Sequence, residues 1–291
     1  MSDAYFEKVI IMKQQINGND ILYYFLKSIL DVEKELAHDF IRKAIINLGI
    51  WMSPDYYKHL PIISPFVVRD LKSRGNKSKN MPERWGEPNE KGYFKDDNTI
   101  IKGYVRSLTI KSPFSLYDGC KIGNAYVASH VWRQPINFSS TIDLATKDPW
   151  LNSFIPNLVW LPKQLSKLSD REGGYVQTFL QKVSYQIYHD VKTDCMDITN
   201  SLWHKLPIAS ISKDESINIS DISFFNYDKK VLIGRKNKII DVVNALQKRL
   251  SNELITNKVI SERYTSGLNK ISPNNLLKLK EDLENYLISL S

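Results

Sequence analysis

The sequence predicts an α+β fold in which a mixed centre lies between helical ends, and three features predict it. Apolar residues near the N-terminus recur at three- and four-residue steps, as on an amphipathic helix. The middle of the chain breaks into short β-like runs separated by turn signals. Helical periodicity then returns over 237–254 and from Ser272 to the end. At 291 residues the chain can bury a proper core, as one large domain or two modest ones. With 42% hydrophobic and 25% charged residues it belongs to neither a disordered nor a fibrous class. No apolar run approaches the roughly 18 residues of a membrane span. The start, MSDAYFEKVIIMKQQ, lacks the basic-then-apolar layout of a signal peptide, so the expected location is cytoplasmic with no membrane partner.

Taken in order, the first helical stripe runs through Ile21, Tyr24, Phe25, Ile29, Leu30 and Val32, with Asn19 or Asp20 as N-cap. A second passes through Leu36, Phe40, Ile41, Ala44 and Ile45, and Gly49 is the expected stop. From Ser53 to Asn98, five prolines and three glycines forbid a long helix. Within that stretch Arg69, Lys72, Arg74, Lys77, Lys79 and Arg84 crowd together, followed by Trp85. They read either as a solvated loop or as a basic arm that tracks a phosphate backbone. TIIKGYVRSLTI and AYVASHVW, with the Asp118-Gly119 turn between them, read as strands. A helical stretch is expected from Pro162 through GYVQTFLQKVSYQIYHDV, then a β-like or irregular region over 207–234. Two cysteines, Cys120 and Cys195, make neither a disulfide framework nor a four-cysteine zinc site. The formal charge of +8 leans towards a polyanionic partner.

The informative segment is Tyr126-Val127-Ala128-Ser129-His130-Val131-Trp132, followed after His130 by 26 residues and then Asn157-Leu158-Val159-Trp160-Leu161-Pro162. A histidine ending a strand, an asparagine opening the next apolar run and a helix after it resemble the HNH nuclease family, over about fifty residues from Asp118 to Asp170. In that family two strands and a helix grip one divalent metal, so the resemblance implies a central ββα-metal unit. It implies His130 as general base, since an imidazole titrating near pH 6.5 can take a proton from water. It makes Asn157 the residue that orients that base or ties down the loop by backbone hydrogen bonds. The third position falls at Ser166, with Gln164 and Asp170 nearby. Metal ligands are open among Asp118, Gln164 and Asp170, with Asp143 and Asp148 as further carboxylates. Oxygen ligands without a cysteine cluster imply magnesium, with manganese possible. Lys163, Lys167 and Arg171 at the helix start, and Arg133 after the base, are phosphate-clamp residues.

These readings divide the chain into a helical and basic-loop segment over 1–98, an HNH-like catalytic unit over 99–190, and a mixed, then helical segment over 191–291. The expected function is a sequence-specific, restriction-type endonuclease on double-stranded DNA. A palindromic site implies a homodimer joined through residues 20–49 or 272–289. Two alternatives remain. One is a DNA-binding or toxin-like protein that keeps the shape without turnover. The other is a D-x-K nuclease core using Asp221, Asp228 and Lys230.

Overall fold

The computed structural model describes residues 28, 34–73, 86–115, 117–140, 143–169, 172–209, 211–256 and 258–290. The first helical stripe, its Asn19 or Asp20 cap, and Trp85 therefore lie outside the described residues. Helix α1 (Lys34–Leu48) buries Ala37, Ile41 and Ile45 and leaves Leu36 and Phe40 exposed, so the predicted second stripe splits between two faces. It stops at Gly49, where a Cβ would lie 2.6 Å from the Ile45 carbonyl oxygen and only glycine fits. Strand β1 (Ile50–Met52) is apolar on both faces and wholly buried, as a central strand requires. Ser53 then caps α2 (Pro54–His59), with proline in the first turn.

Strands β2 (Val67–Arg69) and β3 (Phe94–Asp96) pair in parallel, with Arg69 opposite Asp96. Residues Thr99–Tyr104 form helix α3, not the strand expected of TIIKGYV. Asp96 explains the switch, because its Oδ2 accepts the Ile100 amide at 2.8 Å and satisfies an otherwise orphaned donor of the first turn. Strand β4 (Ile110–Lys111) follows, then the Asp118-Gly119 turn with Gly119 at φ 76°, then β5 (Tyr126–His130). Asp148 caps the short α4 (Pro149–Asn152), which leads to β6 (Leu158–Pro162).

The helical stretch expected after Pro162 divides into α5 (Lys163–Ser166) and α6 (Tyr175–Tyr188). Helix α7 (Met196–His204) was not foreseen. Strand β7 (Ser223–Phe225) is the β element within 207–234. Helix α8 (Lys229–Leu250) starts eight residues before the expected Asn237, because Asp228 caps it. Helix α9 (Glu262–Gly267) and α10 (Pro273–Ser289) complete the chain, the latter capped by Ser272.

One mixed sheet has the order β4-β7-β1-β6-β5, antiparallel except for the β1–β7 pair. It draws β1 from 1–98, β4 to β6 from 99–190 and β7 from 191–291. Helices α1 and α6 pack together, and α8 packs along α10. Trp51, Trp132, Trp160, Phe154 and Phe225 are fully buried around the sheet, each such side chain contributing about 1.5–3 kcal/mol. Among the described residues no helix is long and apolar enough to cross a membrane.

Candidate active site

Strands β5 and β6 pair in strict antiparallel register, with His130 opposite Leu158 and Tyr126 opposite Pro162. The loop that joins them leaves at His130 and returns at Asn157, so both residues sit at one end of the pair. Asn157 is fully buried and spends its whole amide on the loop. Its Oδ1 accepts from the Trp132 amide at 2.7 Å, and its Nδ2 donates to the Leu151 carbonyl at 3.0 Å. Its own carbonyl accepts from the Val131 amide at 3.0 Å. Helix α6 then returns along this loop, with Gln181 Nε2 donating to the Val131 carbonyl at 3.5 Å and Ser184 Oγ to that of Pro156 at 2.6 Å. The local order is strand, clamped loop, strand, returning helix.

His130 Nε2 lies 2.9 Å from the Asn152 carbonyl oxygen. A carbonyl only accepts, so Nε2 carries the proton and Nδ1 keeps its lone pair. That Nδ1 is buried and has no hydrogen-bond partner among the described residues. Burial pushes the imidazole down to about 4, and the neighbouring Arg69 guanidinium adds to the shift. The ring is therefore neutral, with a defined tautomer, throughout the physiological range.

Arg69 reaches this point from β2, and its Nε lies 3.5 Å from Asp97 Oδ1. The corner between β3 and α3 is Asp96-Asp97-Asn98, with Asn98 in the left-handed region at φ 58°. Asn98 Nδ2 donates to the carbonyl of Ala128, two residues before His130, at 3.4 Å. Asn152 is buried and holds β2 through Nδ2 to the Val67 carbonyl at 3.0 Å. Asp96 is buried, and desolvation pushes its carboxyl up to about 6 against the backbone amides that favour the anion.

The sequence foresaw His130, Asn157 and, as a phosphate contact, Arg69; Asp97, Asn98 and Asn152 it did not single out. Ser166 lies at the Tyr126 end of the pair, about 13 Å of strand away from His130. It is buried, with its Oγ donating to the Lys163 carbonyl at 2.9 Å. Gln164 is exposed on α5. Asp118 stands beside β4 at the opposite edge of the sheet, its carboxylate accepting the Ser112 amide at 3.0 Å. Among the described residues no group of three or more His, Cys, Asp or Glu is placed to hold a metal ion. Asp170, Arg171, Arg74, Lys77 and Lys79 lie outside the described residues, while Lys72, Arg133, Lys163 and Lys167 are exposed.

The D-x-K constellation does not assemble. Asp228 Oδ1 accepts the Lys230 and Val231 amides at 2.8 and 3.4 Å as the cap of α8. Lys230 is on that helix and Asp221 on a separate exposed turn. No protein family, curated protein or solved structure matches this chain.

Proposed function

We propose that this protein is a metal-dependent, sequence-specific endonuclease of the ββα-metal class, acting on double-stranded DNA with His130 as general base. The observation that supports it most is the fixed tautomer of His130, whose Nδ1 lone pair stands at the mouth of a clamped strand-loop-strand unit. In this reading Nδ1 takes a proton from water, the resulting hydroxide attacks phosphorus, and the bond to the 3′ oxygen breaks to leave a 5′ phosphate and a 3′ hydroxyl. A divalent cation, magnesium or manganese, supplies Lewis acidity to the phosphate and a proton-donating water to the leaving oxygen. Arg69 provides a fixed positive charge beside the reacting group. Asn157 keeps both ends of the loop in place so that His130 does not drift. Exposed Arg133, Lys163 and Lys167 add sequence-independent phosphate contacts. A homodimer serves a palindromic site.

Plasmid and phage DNA incubated with the wild type and with His130→Ala, in magnesium, manganese and EDTA, tests this reading. Discrete fragments that need metal and disappear in the variant are expected. No cleavage under any condition, with salt-sensitive DNA binding intact, replaces the enzyme with a non-catalytic DNA-binding protein.

A further inference from the structure

Ten buried side-chain nitrogen or oxygen atoms have no hydrogen-bond partner among the described residues, and four of them meet around His130. They are His130 Nδ1, Asn152 Oδ1, Asn98 Oδ1 and Arg69 Nε. Interiors normally pair such atoms, so a concentration at one spot marks a place built for something that completes it. Their chemistry says what. Three of the four are acceptors, and the fourth, Arg69 Nε, faces the carboxylate of Asp97 at 3.5 Å.

Asn152 is the most telling, being 1% exposed. Its Nδ2 is spent on the Val67 carbonyl at 3.0 Å, which leaves Oδ1 as the end turned to other partners. Its side chain also interacts with the His130 ring. Asn98 Oδ1 is held against β5 because its Nδ2 donates to Ala128. Two amide oxygens, a carboxylate and an imidazole lone pair form a hard-donor set suited to an octahedral dication that keeps several waters.

We infer that the corner Asp97-Asn98, together with Asn152, binds a divalent cation beside His130, with one of its waters facing Nδ1. The ligands thus come from β3–α3 and α4, outside the strand pair and the helix that resemble the HNH family. The inference refines where the proposed nuclease holds its metal, but cation binding can be read without any cleavage assay.

Manganese titrated into the full chain, followed by the loss of its free EPR signal, should show one saturable site. In parallel, histidine ring NMR with a small fraction of manganese should broaden His130 first among the five histidines, assigned through His130→Gln. Asp97→Asn should weaken binding by about tenfold or more, and Asn98→Asp, which adds a carboxylate at a left-handed position that aspartate tolerates, should tighten it. The inference fails if no saturable binding occurs, if His59 or His189 broadens first beside Asp194 or Asp190, or if both variants bind as the wild type does. Binding without cleavage would sink the nuclease reading and leave the cation site standing. Cleavage with binding unaffected at Asp97 would do the reverse.

Discussion

Two buried titratable residues in this site are displaced in opposite senses, and their effects on stability oppose each other. His130 is held down at about 4. The unfolded chain binds that proton below about pH 6.5, so between pH 4 and 6.5 the unfolded state carries more of it and stability rises with pH. Asp96 is pushed up to about 6, so across pH 4 to 6 the folded state holds the extra proton and stability falls as pH rises. Over the shared window the two contributions largely cancel. Asp96→Asn should therefore make stability climb with pH more steeply than in the wild type, and His130→Gln should make it climb less or decline. Urea midpoints from pH 4 to 6.5 measure this. If both variants keep the wild-type slope, the two groups titrate normally.

At the scale of elements, helix ends carry much of the argument. Asp228 is a cap, so Asp228→Ala should cost about 1 kcal/mol of stability and leave DNA cleavage unchanged. Denaturant unfolding and a plasmid assay on the same preparation decide it, and a loss of cleavage at full stability would revive the D-x-K reading. This cap also shows where sequence reading stopped short. Its Asp-Lys-Lys was weighed as catalytic chemistry, and the periodicity was picked up only from Asn237. TIIKGYV looked like a strand because β-branched Thr99, Ile100 and Ile101 favour one, yet the Asp96 side chain supports the helix. Strand β5, Gly49 as a stop and Ser272 as a cap were legible because each rests on local pattern alone. Asp97, Asn98 and Asn152 were not, since nothing local says that residues 97 and 152 meet at 130. That meeting is made by the β2–β3 pair and the fold of the long loop.

On the scale of the molecule, the C-terminal helices are fastened to the sheet by buried tyrosines. Tyr286 on α10 accepts from the Ile62 amide and donates to the Ile62 carbonyl, both at 2.9 Å. Tyr264 on α9 donates to the Gly92 carbonyl at 3.0 Å, and Tyr188 on α6 to the Met52 carbonyl at 2.6 Å. All three rings are fully buried, so each hydroxyl satisfies backbone groups that water cannot reach. Because α10 also packs along α8, removing its hold on Ile62 weakens the support of both helices. Tyr286→Phe leaves the ring in place but strands both Ile62 groups, at a cost of about 1–3 kcal/mol for each unpaired group. Since β7, from the C-terminal segment, is hydrogen-bonded directly to central β1, that loss should be felt by the whole sheet. Thermal unfolding of Tyr286→Phe should thus remain one transition, shifted down, with tryptophan fluorescence from the sheet and far-ultraviolet ellipticity from the helices moving together. Two separated transitions would mean that the C-terminal helices melt as a unit of their own.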